Sequence, residues 1–231
     1  MFEMFALPHL AALAAALAAF AAIVLYRKGL REERTNRRFR IGMALLLVLC
    51  EAALQLSYFI DGEWSAGSLP FQLCSLTLLL SAAALAFRWK RLYTIVFFLG
   101  TLGALQAMIT PNLTQPFPHF RYFHFFIAHI GIIATAVYLL AVERYRPTLR
   151  SAFGALAWLH VLAIPAAIVN IATGTTNFMF LARKPETASL LDALAPWPWY
   201  LLQLELVAAA LCLTLLGVAK LAYRINGRLR G

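Results

Sequence analysis

The sequence predicts an all-α, polytopic membrane protein: a seven-helix transmembrane bundle forming one domain over residues 1–231. Three observations carry this reading. Hydrophobic residues make up 62% of the chain, whereas an average soluble domain is about half apolar. They fall into long runs with few charges, each near the ~20 residues that a helix needs to cross the hydrocarbon core. The basic residues collect in alternate loops between those runs. A transmembrane barrel is excluded, because the runs are too long and do not alternate with period two.

The first run, Leu7–Tyr26, has no basic segment before it and ends at Arg27 and Lys28. It is expected to be a span rather than a cleaved signal peptide. The others are Ile41–Ile60, Leu69–Phe87, Leu92–Thr110, Phe120–Val142, Ser151–Thr173 and Trp199–Tyr223. The net charge of +10 could suggest nucleic acid. Its distribution argues for membrane orientation instead and against a nucleic-acid partner. Of the 20 basic residues, all but Arg121, Arg183 and Lys184 fall in the first, third and fifth loops and the C-terminal tail, which ends with Arg228 and Arg230. By the positive-inside rule the N-terminus is outside and the C-terminus cytoplasmic. The expected location is the plasma membrane of a bacterium, with several passes.

The opposite loops differ in kind. Asp61–Ser68 is short and acidic, and Pro111–His119 has three prolines. The longest, Gly174–Pro198, carries Arg183-Lys184-Pro185-Glu186 and a Pro-Trp-Pro-Trp run. Loops of that length are often binding loops.

Polar residues inside the runs are the candidates for function, because ionisable groups in a span are costly. Glu51 and Gln55 lie four residues apart on the second run, and Gln72, Cys74, Ser75 and Thr77 open the third. Gln106 and Thr110 close the fourth. Arg121, His124 and His129 enter on the fifth, Asn170 ends the sixth, and Gln203 and Glu205 open the seventh. All sit in the outer halves, which predicts a polar cavity there. His160, near mid-membrane, is the main exception. Gln55, Gln106, Ser75 and Thr77 have an ordinary alternative as polar contacts between helices. Cys50 and Cys212 read as packing residues. Cys74 alone would read the same way, but a Cys–His pair has different chemistry, because imidazole can take the thiol proton and return it as an acid. No residue spacing suggests a metal site or a cofactor.

The strings Leu69-Pro70-Phe71-Gln72-Leu73-Cys74-Ser75, Pro118-His119-Phe120-Arg121-Tyr122-Phe123 and Gly174-Thr175-Thr176-Asn177-Phe178-Met179-Phe180-Leu181 resemble motifs of the YwaF family of bacterial membrane proteins. Pro196-Trp197-Pro198-Trp199-Tyr200 adds to the likeness. That family is similar to the eukaryotic transmembrane protein 164 type, lipid acyltransferases whose chemistry is attributed to one membrane cysteine and one membrane histidine. The resemblance implies Cys74 and His129 in those roles. It implies a thioester route, with phospholipids and lysophospholipids as partners. The expected activity is an acyltransferase, moving an acyl group between phospholipid and lysophospholipid, with an acyl hydrolase as the other outcome of the same chemistry.

Around that pair, Gln72, Asn170 or Asn177 is expected to hold an oxyanion. Arg121, with Arg183 and Lys184, is expected to position a phosphate headgroup, with His124 nearby. Glu51 or Glu205 is expected to orient His129, and Gln106 to support the cavity. The alternative is a lipid-binding or transport protein that uses the same cavity without covalent chemistry; prolines at 70, 111 and 165 fit interrupted spans.

Overall fold

A computed structural model describes residues 2–184 and 190–228, and the side chains of these except 190 and 225–228. Pro185, Glu186 and Arg230 lie outside the described residues. Among the described residues seven helices make up the bundle: α1 Leu7–Leu25, α2 Glu33–Ile60, α3 Leu73–Phe87, α4 Lys90–Ile109, α5 Phe120–Ala141, α6 Leu149–Thr173 and α7 Trp199–Arg228. No strand occurs among the described residues. Six of the helices are long and apolar enough to cross a membrane.

The seventh, α3, has 15 residues, about 22 Å of helix against the ~30 Å of a hydrocarbon core. A helix beginning at Leu69 was the expectation. Pro70 disfavours helical backbone at the residue before it, and the chain enters extended, with Leu69 and Gln72 both in β conformation. Cys74 therefore stands in the first turn of α3. In the other direction α2 starts eight residues before Ile41, at Glu33. Its basic first turns are helical because Asn36 and Arg40 are buried in hydrogen bonds: Arg40 Nε donates to Asn36 Oδ1 at 2.9 Å, and Arg40 Nη1 donates to the carbonyl of Leu85. That last bond caps the end of α3, where orphan carbonyls need donors.

The central helix is α5. It packs against α1, α2, α3 and α4, and Ala128, Gly131, Ala134 and Ala136 are buried along it or leave room for a neighbour. Small residues let helix backbones approach closely in apolar surroundings. A Cβ on Gly131 would fall 2.6 Å from Leu47 Cδ2 of α2. The helix α4 contains a π-turn at Val96–Gly100, all five residues buried. The pair α6 and α7 packs mainly on itself and on α4.

The bundle has two distinct ends. At the basic end, Tyr138 Oη donates to Glu143 Oε1 at 2.8 Å, Arg88 pairs with Glu143 at 3.0 Å, and Tyr223 Oη donates to the Tyr145 carbonyl. The opposite end carries the loops 61–72 and 110–119 and the described parts, 174–184 and 190–198, of the loop after α6. There Phe2 N donates to the Thr114 carbonyl, and Tyr122 Oη to the Pro8 carbonyl.

Candidate active site

The site is built from the first turns of α3 and α5 and the last turns of α4. Gly100 and Gly103 of α4 set the packing. A Cβ on Gly100 would lie 3.0 Å from Ile132 Cγ2 of α5 and 3.6 Å from Thr77 Cβ of α3. On Gly103 it would lie 3.6 Å from Leu73 Cδ2 and 3.7 Å from Cys74 Sγ. Glycine at these two places thus lets α4 wedge between α3 and α5. Cys74 precedes Thr77 by three residues and His129 precedes Ile132 by three. Residues so spaced share a helix face, one turn apart. Since α3 and α5 run in the same direction and α4 in the other, Cys74 meets Gly103 a turn nearer the loop end than Gly100, and His129 lies about one turn from Ile132 in that same direction along α5.

His129 is buried at 8% exposure. Its Nδ1 lies 2.6 Å from the carbonyl of Phe125, one turn back, and its ring packs on that of Phe125 at 4.3 Å. A carbonyl only accepts, so Nδ1 carries the hydrogen and Nε2 keeps its lone pair. Cys74 is half-buried. The first-turn amides of α3 lack intrahelical acceptors by geometry, since the first α-type bond of the helix runs from Leu76 N to the Gln72 carbonyl.

Gln72 Oε1 accepts from Met179 N at 3.0 Å, which ties the segment before Cys74 to the long loop. Asn170 does a different job from the one expected. Its Oδ1 accepts from Phe178 N at 2.8 Å and Thr176 Oγ1 at 2.9 Å, and its Nδ2 donates to the Phe178 carbonyl at 3.0 Å. Asn177 closes the next turn: Oδ1 accepts from Ala182 N and Arg183 N, and Nδ2 donates to the Arg183 carbonyl. Both amides are spent on the loop. That loop seats Phe178, 2% exposed, edge-on to Phe71. Met179 and Phe180 hold positive φ of 55° there, a region unfavourable to side chains that usually marks a constrained segment.

The carboxylates also have other partners. Glu205 lies 3.2 Å from His160 Nε2, joining α7 to α6, and the Nδ1 that a carboxylate would use to orient His129 is taken by Phe125. Glu51, buried at 6% exposure, accepts from Gln55 Nε2 at 3.0 Å, and the same nitrogen donates to the Ser68 carbonyl at 2.8 Å. Gln106 Nε2 donates to Thr110 Oγ1 at 2.6 Å at the exposed end of α4. Arg183 Nη2 donates to the Thr175 carbonyl, and Lys184 Nζ to that of Leu194. Arg121 and His124 stand apart from these: each keeps a buried nitrogen without a hydrogen-bond partner.

His9 was not singled out from the sequence. It is fully buried, with Nδ1 accepting from Phe5 N at 2.9 Å and Nε2 facing the Met108 carbonyl at 2.8 Å. It pins α1 to the end of α4. A histidine early in an apolar run was the available signal. Among the described residues no group of three or more His, Cys, Asp or Glu is arranged to hold a metal ion.

No curated protein and no solved structure matches the chain. A sequence model of the TMEM164 family matches residues 4–216, almost the whole chain. With six helices able to cross a membrane, the protein is a multi-pass membrane protein and belongs to the TMEM164 family.

Proposed function

We propose that the protein is a membrane-embedded acyl-transfer enzyme that uses Cys74 and His129 on phospholipids. The reading includes seven spans, with α3 completed by its extended lead-in, the N-terminus outside, the C-terminus cytoplasmic, and the plasma membrane as location. The reading is supported by Cys74 beside Gly103 and by a histidine, one turn before the Ile132 that meets Gly100, whose Nδ1 is engaged and whose Nε2 retains its lone pair.

Each step follows from these groups. His129 Nε2 takes the Cys74 thiol proton as sulfur attacks the carbonyl carbon of a phospholipid acyl ester. The tetrahedral oxyanion lies near the first turn of α3, whose free amides and positive dipole end favour negative charge. Gln72 Nε2 adds a donor, a role that Asn170 and Asn177 no longer fit. Collapse expels the lysolipid alkoxide, which takes the proton from His129, and leaves an acyl thioester. A lysophospholipid hydroxyl, or water, then gives its proton to His129 and attacks the thioester; collapse breaks the C–S bond, releases the acylated product, and the Cys74 thiolate takes the proton back from His129. Transferase and hydrolase differ only in that acceptor.

The test is acyl exchange in detergent or nanodiscs. Cys74→Ala and His129→Ala, folded and inserted, are each expected to lose at least ~100-fold in rate. Full exchange by either variant would refute the mechanism. A parent that binds lipid but never exchanges acyl groups would favour a lipid-binding or transport protein.

A further inference from the structure

Among the described residues, the Arg121 guanidinium in the first turn of α5 has no carboxylate partner. Arg121 Nη1 and His124 Nε2 are both buried and without a hydrogen-bond partner. Folded proteins leave few buried polar atoms in that condition. An arginine is always charged and presents its donors in a fixed fork. Here the guanidinium lies over the Tyr58 ring of α2, 4.8 Å from its centroid, so an aromatic wall holds the fork in place. The described ion pairs are Arg88–Glu143 and His160–Glu205, and Arg121 takes part in neither. Three residues apart on one helix, Arg121 and His124 are neighbours on its surface.

We propose that Arg121 Nη1 and His124 Nε2 form the subsite for the phosphate of the lipid on which Cys74 and His129 act. This rests on the reading above and deepens it by naming the headgroup. The depth agrees. Arg121 stands in the first turn of α5, which begins at Phe120 at the loop end of the bundle, and a helix of 22 residues is about as long as the hydrocarbon core is thick, so its first turn meets the headgroup level. Arg121 precedes His129 by eight residues, about 12 Å along the axis, a gap that the long arginine side chain shortens toward the ester end of a glycerophospholipid. A phosphodiester satisfies the guanidinium with a charge-assisted hydrogen bond, and His124 gives the same headgroup a second contact. Arg183 and Lys184, which the sequence grouped with Arg121, are engaged with the carbonyls of Thr175 and Leu194 and have no part in it.

The test is lipid binding in a Cys74→Ala background, where no turnover occurs. Native mass spectrometry compares a lysophosphatidylcholine with a monoacylglycerol and a free fatty acid of the same chain, and with inorganic phosphate. The lysophospholipid is expected to bind about tenfold or more tightly than the monoacylglycerol. Arg121→Gln and His124→Phe each shrink that preference, Arg121→Lys retains part of it, and Arg183→Gln leaves it unchanged. Arg121→Lys also keeps the test valid if the glutamine variant fails to fold. The proposal is overturned if parent and Arg121 variants show the same preference. It is equally overturned if fatty acid or inorganic phosphate alone binds as tightly as the lysophospholipid. Headgroup preference without acyl exchange in the parent would refute the enzyme reading and keep the subsite; exchange without headgroup preference would do the reverse.

Discussion

His9 and His129 show how much one hydrogen bond decides. Both are buried on apolar helices, and both looked alike as letters in a hydrophobic run. At His9 an amide donates to Nδ1 and the Met108 carbonyl faces Nε2, so the ring is saturated. At His129 a carbonyl occupies Nδ1 and Nε2 is left for chemistry. His9→Ala is therefore expected to lower stability by about 1–3 kcal/mol, the cost of unpaired buried groups, as read by thermal unfolding, whereas His129→Ala loses acyl exchange. If His129→Ala kept its exchange rate and His9→Ala abolished it in folded protein, the two roles would be reversed. Gly131→Ala makes a steric prediction. Its Cβ would meet Leu47 Cδ2 at 2.6 Å, and Leu47 is itself buried at 1% exposure. Overpacking of this kind costs roughly 1–3 kcal/mol; an unchanged Tm would show that Leu47 can move aside. The sequence marks the residue types at these positions, but neither a tautomer nor a packing distance is encoded in spacing.

At the scale of elements, apolar runs located the helices well where hydrophobicity was continuous, as in α1 and α5. Ends were less legible where polar groups decide them. The first turns of α2 are helical because Asn36 and Arg40 find partners in the bundle, and α3 starts late because of Pro70. The loop after α6 is legible as the longest between the apolar runs, yet its architecture rests on side-chain-to-backbone bonds that no periodicity reveals. Gly174 ends α6 in the left-handed region, φ 66°, a conformation glycine adopts without strain. Asn170 then holds both backbone groups of Phe178. Asn170→Ala is expected to release this turn, raising hydrogen exchange of the amides at 176–181 while leaving α5 amides protected. Unchanged protection there would mean that Phe178 packing, not the asparagine, fixes the loop.

Over the whole molecule, the division into a basic end and a loop end was the most legible feature, because charge sorting needs no tertiary information. Its structural consequence lies at Glu143, outside the spans. Burial pushes this carboxyl up, but hydrogen bonds from Tyr138 and Arg88 and the charge of Arg88 outweigh burial and hold it below the ordinary carboxylate value. A carboxyl depressed in the folded state adds stability above its unfolded pKa, and the gain is lost as pH falls through the folded value. The parent should therefore lose Tm on acidification toward pH 3 more steeply than Glu143→Gln; parallel curves would remove Glu143 from the account. Orientation has its own check. With the native cysteines replaced, a cysteine at Glu63 should react with an impermeant thiol reagent outside intact cells, and one at Arg150 only after lysis. The reverse pattern would invert the topology.

The central claim is covalent chemistry at Cys74, and intact-protein mass spectrometry after incubation with phospholipid tests it most directly. An acyl adduct on the parent that hydroxylamine removes and that is absent from Cys74→Ser is the predicted result. The same adduct on Cys74→Ser would contradict the thioester at this residue.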